Sequence, residues 1–381
     1  MRDNFRLRTV SYLNAQKPAH APPRNRRKTS GRTPKAGNDC DLDHKYRTRT
    51  RAGVRPSRPV CPALQPPLRR TSFGAAPTAL TWSLKERRVV TTPIPAQRQL
   101  RFGYFLVPLA ADPLIATAQR VERLGLDYVG IQDHPYQRRF VDTWSLMAMI
   151  AASTATLRIF PDVANLPLRP PAVMAKAAAT IDLLSGGRFE LGLGAGGFWD
   201  AIAAYGGPRR SPRESLGALG EAITVIRKVW SGERNLRFEG AHYRLAGAQA
   251  GPVPAHPIGI WLGVYGPKAL ELTARAADGW VPSFRGDIGQ IAERTRRLDD
   301  AAAAAGRPPG ALRRVLNVSG AVTDGSSEGM FNGPAAQWVE NLAEVAVSYG
   351  FDTFIFWGEG GNQLDRFAQE VVPAAREQLA Q

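Results

Sequence analysis

From Arg101 to the C-terminus, short runs rich in β-branched and aromatic residues alternate with apolar residues at helical spacing. The runs predict eight strands: Phe102 to Val107, Tyr128 to Gln132, Leu157 to Val163, Arg188 to Leu193, Ile258 to Gly263, Gly279 to Pro282, Arg314 to Val318 and Asp352 to Trp357. Between them, Val173, Ala177, Ile181 and Leu184 form one helical stripe, and Leu216, Leu219, Ile223, Ile226 and Trp230 form another. Trp338, Leu342, Val345 and Tyr349 make a third stripe behind Pro334, which suits a first helical position. Gly186-Gly187 supplies a left-handed stop before the fourth strand.

Alternation of this kind signals a parallel sheet built from βα units. Eight such units in the 281 residues from Arg101 match a closed (β/α)8 or TIM barrel, for which about 250 residues is typical. The surplus falls between the fourth and fifth strands, where Gly197 to Pro212 reads as an excursion and Arg237 to Leu245 as a small hairpin. Residues 98–381 are therefore expected to be one α/β domain with an insertion. In such barrels the chemistry sits at the C-terminal ends of the strands.

Charge separates the remainder. Residues 1 to 100 hold 22 Lys+Arg against 5 Asp+Glu, leaving 28 against 28 for the rest, so the net charge of +17 belongs to the amino-terminal segment. Runs such as Arg24-Asn25-Arg26-Arg27-Lys28, many prolines and few clustered apolar residues cannot offset the entropy of ordering. Residues 1–97 are expected to be a disordered basic extension. A translation start assigned too early would account for it, and with no Met between Met1 and Met147 a shorter product would begin at a codon such as Val89 or Val90. A basic tail binds polyanions through counterion release, but specific readout needs a folded module whose signatures are missing, so nucleic acid is not an expected partner. Both cysteines, Cys40 and Cys61, lie in this segment, and no apolar run approaches bilayer length. A reducing cytoplasm without membrane attachment is the simplest expectation.

Candidate chemistry lies after the strands. Asp133-His134 follows the second, where an imidazole can shuttle a proton and the adjacent carboxylate can orient it. Leu157 to Pro167 leaves the third strand through a segment too apolar for an ordinary surface loop, which would lay backbone against a flat ligand. Gly192, Gly194 and Gly197 have G-x-G-x-x-G spacing, but Tyr205-Gly206-Gly207-Pro208 interrupts before a helix can start, so these glycines instead let a planar ring approach the backbone. Gly263-Val264-Tyr265-Gly266-Pro267-Lys268 joins the fifth strand to a helix whose first amides, with Lys268, suit a phosphate. Arg285, after the sixth strand, is a candidate contact for an anionic tail, the alternative being a solvated surface charge. No metal site is expected, because three histidines in the barrel have no ligand-spaced partner. There is no G-x-S-x-G elbow for a serine hydrolase.

Four segments together resemble the bacterial luciferase-like monooxygenase family, in its branch of F420-dependent oxidoreductases. They are Gln132-Asp133-His134, Asn165 to Thr180, Leu183-Leu-Ser-Gly-Gly-Arg-Phe-Glu-Leu-Gly-Leu-Gly-Ala-Gly196 and Gly266-Pro-Lys-Ala-Leu-Glu-Leu-Thr-Ala-Arg-Ala-Ala-Asp-Gly-Trp280. The resemblance implies a TIM barrel, usually a homodimer, that binds coenzyme F420, or alternatively FMN, above the strand C-termini. It implies a bulge at Val163-Ala164-Asn165, often with a non-prolyl cis peptide, supporting one face of the ring. Ring-edge contacts map to Gly194, Ala195 and Gly196. Phosphate contacts map to Gly263, Tyr265, Gly266, Pro267 and Lys268. Asp133 and His134 map to the proton-transfer pair, and Trp144 to a wall for a small organic substrate. The implied reaction is hydride transfer between deazaflavin and substrate, the FMN alternative being an oxygen-using monooxygenase.

Overall fold

The computed structural model describes residues 99 to 308, 310 to 358 and 360 to 380. The expectations for residues 1–97, including Cys40 and Cys61, lie outside the described residues. All eight expected strand positions are present. The first three are β1 (Arg101–Leu106), β2 (Tyr128–Ile131) and β3 (Arg158–Pro161), and the third resumes after a break as β4 (Ala164–Asn165). The fourth is β5 (Leu191–Gly194). An insertion contributes the antiparallel hairpin β6 (Leu236–Glu239) and β7 (Arg244–Ala248). The ring continues through β8 (Ile260–Leu262), β9 (Gly279–Trp280) and β10 (Arg313–Ser319). A two-residue pair, β11 (Ala321–Val322) and β12 (Asn332–Gly333), precedes β13 (Thr353–Trp357).

The sheet runs β3-β2-β1-β13-β10-β9-β8-β5-β4, so the interrupted third position forms both its edges. Ile159 joins them: its N–H donates to the Arg188 carbonyl at 2.8 Å, and its own carbonyl accepts from Glu190 N at 3.0 Å. Around the strands lie α1 (Leu114–Arg123), α2 (Thr143–Ser153), α3 (Pro171–Ser185), α4 (Trp199–Ala204) and α5 (Pro212–Trp230). The circuit continues with α6 (Pro267–Ala276), α7 (Ile288–Ala304) and α8 (Ala335–Tyr349), and the chain ends in α9 (Gln363–Arg366) and α10 (Val372–Ala380).

Local chemistry explains the boundaries. Ser211 and Glu214 form a reciprocal capping box ahead of Pro212, so α5 starts where the expected excursion ends. Gly186 closes α3 in the left-handed conformation at φ 72°, as the Gly-Gly pair predicts. Pro334 is the cap of α8, not its first residue. The α5 and α8 stripes face the core as expected, whereas the α3 stripe is out of phase: Val173 and Leu184 are exposed, and Met174, Ala175, Ala178 and Ile181 are buried. Alanines and large apolar residues surround this helix on every side, so spacing alone does not choose the inner face.

The lumen is packed. Phe105, Tyr128, Phe160, Trp261, Val281, Val315 and Ile355 fill it as one buried cluster against which Val163 and Trp357 rest. A second, larger apolar cluster lies between strands and helices. No helix among the described residues is long and apolar enough to cross a membrane.

Candidate functional site

Strand ends converge at the upper face. The peptide bond Asp162-Val163 is cis and non-prolyl, so the bulge begins one residue ahead of the Val163-Ala164-Asn165 segment expected to carry it. Val163 then leans on two strands that offer no side chain in return. A Cβ at Gly194 would lie 2.7 Å from Val163 Cγ2, and one at Gly263 2.9 Å from the same atom. The structure thus brings Val163, Gly194 and Gly263 together as a ledge with bare backbone beside it. Ala164 and Asn165 pair with Leu193 and Gly194, which anchors the far side of the ledge. Beyond it, Gly196 at φ 98° carries the chain away from the mouth, as the place of that glycine requires.

Asp133 and His134 leave β2 in different directions. Asp133 is buried, and its Oδ2 accepts from Asn165 N at 2.9 Å. Burial raises its pKa against that bond and against the nearby Arg169 charge. His134 is half-buried, and its Nδ1 lies 2.6 Å from the Tyr136 hydroxyl. The bond to Asn165 N ties Asp133 to the bulge, and the Tyr136 hydroxyl is the hydrogen-bond partner of the imidazole. Phe198, at the start of the insertion, meets His134 edge-on at 5.3 Å between centroids. These surroundings strip water from the imidazole and push its pKa down to about 4, so it is neutral at physiological pH.

A cavity of about 370 Å³ adjoins this corner, bounded by Asp133, Phe140, Asn165, Arg169 and Tyr205. Asn165 Oδ1 is buried without a partner. Trp144 lies at the start of α2. It is 5% exposed, packs on Phe189 at 6.0 Å between centroids and carries the Arg169 guanidinium over its ring at 5.0 Å. A larger cavity of about 590 Å³ lies at the opposite end of the barrel, between the C-termini of α5 and α6.

On the other side of the mouth, Gly266 caps α6 without a side-chain bond, and Pro267 occupies the first turn. Lys268 is exposed beside them. The Tyr265 hydroxyl accepts from Ser283 N at 3.1 Å, and Arg285 and Arg294 flank its ring at 5.7 and 5.1 Å. The helix start and these cations together favour an anion.

The model of the luciferase-like monooxygenase family matches residues 96–355. The chain belongs to the luciferase-like monooxygenase family. It is 33% identical over 243 residues to the F420-dependent hydroxymycolic acid dehydrogenase of Mycobacterium tuberculosis, a match covering 61% of this chain and 65% of that protein. It is 34% identical to the F420-dependent glucose-6-phosphate dehydrogenase of Amycolatopsis mediterranei, covering 44% of this chain and 52% of the relative. The chain thus spans between half and two thirds of the length of these two relatives. The 5,10-methylenetetrahydromethanopterin reductase of Archaeoglobus fulgidus is 30% identical over 74% of this chain and 78% of its own. Among solved structures, an F420-dependent secondary alcohol dehydrogenase in complex with an F420-acetone adduct shares the fold at TM-score 0.65, with 18% identity, covering 73% of this chain and 99% of that one.

Sequence reasoning missed three members of the site. Tyr136 and Phe198 become partners of His134 only through the fold. Asp162 lies inside the Leu157 to Pro167 segment, where a carboxylate in so apolar a run is the available signal.

Proposed function

We propose that this chain is an F420-dependent oxidoreductase acting on a small organic substrate, with His134 as its proton-transfer group. The neutral, half-buried imidazole held by Tyr136 beside the Val163 ledge carries this reading. The residues fit a tricyclic ring: Gly194 and Gly263 keep side chains off the ledge, and a Cβ at either would meet Val163. The start of α6 and Lys268 would take the phosphate, and Asn165 Oδ1 offers a free acceptor toward the ring corner. When bound, the deazaflavin supplies a carbon that accepts or gives a hydride.

The chain's part is alignment and proton handling. With Nδ1 engaged by Tyr136, His134 presents Nε2 to the substrate. As a neutral base it takes the hydroxyl proton while the adjacent carbon gives up its hydride, and the reverse step returns both. Phe198 and Tyr136 shield the imidazole from bulk water. Asp133 keeps the ledge in place through Asn165 N. A homodimer belongs to the same proposal: α2 carries no charged residue, and Met149, Val173 and Leu184 are exposed on α2 and α3. Its solution mass reads that part directly.

Separate titrations with F420 and FMN test the cofactor. F420 should bind and FMN should not, and the opposite outcome replaces this reading with the oxygen-using monooxygenase. His134→Ala should keep F420 affinity and lose roughly 10²- to 10⁴-fold in turnover. Wild-type turnover in that variant refutes the role of His134.

A further inference from the structure

One carboxyl at the mouth has no part in the proton route through His134. Asp162 is 7% exposed, and Asn317, reaching it from β10, is 4% exposed. Asn317 Nδ2 donates to Asp162 Oδ1 at 3.0 Å and lies 3.5 Å from Ser283 Oγ. Asp162 Oδ2 and Asn317 Oδ1 are both buried without a partner. The chain keeps space for this group, since a Cβ on Gly130 would stand 2.9 Å from Asp162 Oδ2.

Among the described residues, no cation compensates the carboxyl. Beyond β2, Asp133 is committed to Asn165 N and His134 to Tyr136. Beyond β8, the Tyr265 hydroxyl is held by Ser283 N, and Arg285, beyond β9, lies against the Tyr265 ring. Within the lumen, the Tyr128 phenol is itself pushed up to about 12 by burial. At this level β10 presents the neutral Asn317. A single amide N–H does not replace the water a carboxylate loses, and burial raises Asp162 to about 7.

Asp162 immediately precedes Val163, the residue of the ledge. We propose that Asp162 is a positioning residue for the cofactor ring: in its cation-free setting on Asn317 it couples binding of a negatively charged tricycle to retention of one proton on its own carboxyl. This rests on the F420 reading above. The hydroxylated ring of F420 is anionic in neutral solution. Over a protonated Asp162 that charge meets a neutral acid, whereas over an ionised Asp162 it meets a like charge in a medium that screens poorly. Binding at high pH therefore draws one proton from solvent onto the Asp162 carboxyl, with no other bond made or broken.

F420 is titrated by its absorbance into wild type and Asp162→Asn at about pH 6 and about pH 8.5. Ionisation of the free ring is common to both proteins and cancels in the comparison. Over that interval the wild-type Kd should rise about tenfold more than that of Asp162→Asn, equivalent to about 1.4 kcal/mol. Identical pH profiles overturn the proposal. Infrared difference spectra of the wild type alone decide the matter if the variant does not fold: adding F420 at about pH 8.5 should raise a carboxylic-acid carbonyl band, and no such band refutes the coupling. Failure of the wild type to bind F420 at either pH refutes the cofactor reading itself, a result distinct from binding with a shared profile.

Discussion

Gly194→Ala tests whether the ledge depends on the bareness of its neighbours. The added Cβ would stand 2.7 Å from Val163 Cγ2, against about 3.5–4.0 Å for a comfortable carbon contact. Gly194 does not adopt positive φ, so alanine fits the backbone and the cost is steric. Overpacking of this kind costs about 1–3 kcal/mol, and reduced freedom of the unfolded chain returns about 0.4–1 kcal/mol. The net loss should be about 1–2 kcal/mol. Val163→Ala removes both γ-methyls and with them the collision, so adding Gly194→Ala to it should cost nothing further. Thermal denaturation of the four proteins closes the cycle, with an expected coupling of about 1–3 kcal/mol, because the unfolded-chain effect is common to both backgrounds and cancels. Gly192→Ala is the control: its Cβ would strike the Pro161 carbonyl oxygen, which is backbone, and Val163→Ala should not rescue it. Additive losses for Gly194→Ala and Val163→Ala would show that the two positions do not press on one another, and the ledge as described would be wrong.

Three further outcomes are expected. Tyr136→Phe leaves His134 Nδ1 without its 2.6 Å partner and should lower turnover up to about tenfold, the worth of one hydrogen bond, while F420 affinity stays unchanged; equal turnover would remove Tyr136 from the proton route. At the lower end of the barrel, His256 Nδ1 sits 2.7 Å from Asp182 Oδ1 and its Nε2 lies 3.6 Å from Glu190, and these two carboxylates, Glu190 foremost, raise its pKa. A native-state pKa above the unfolded value of about 6.5 gives stability that is complete below that pH and fades as pH climbs through the folded value. The Tm advantage of wild type over His256→Gln should therefore shrink between about pH 6 and pH 9, and a constant gap refutes the linkage. Arg188 donates to the carbonyls of Ala151, Thr154, Leu157 and Ser185. Arg188→Lys strands several of these acceptors and should cost about 2 kcal/mol or more, read as a fall in Tm; an unchanged Tm would show the acceptors re-satisfied by other means.

The strands were legible because the barrel buries them on both sides, which leaves dense β-branched and aromatic runs such as Phe354-Ile355-Phe356. Gly186, Gly266 and Pro267 were legible because turn and cap chemistry is local. The inner face of α3 was not, since Val173 and Met174 are equally apolar and only the neighbouring strands decide which turns inward. Asp133 and His134 were legible as a pair by adjacency, yet successive residues at a strand end diverge, and each found its partner elsewhere, in Asn165 and Tyr136. Asp162 and Asn317 stand 155 residues apart, a separation at which no local pattern carries information about contact.

The filled lumen has a kinetic consequence. Among the described residues, Tyr128, Phe160 and Trp261 stopper the cylinder from below. Cofactor and substrate would have to share one doorway, the flat dye entering first and the smaller molecule closing over it. Departure would then run in the opposite order, so excess substrate should slow cofactor exchange and, by linkage, tighten the cofactor's apparent binding.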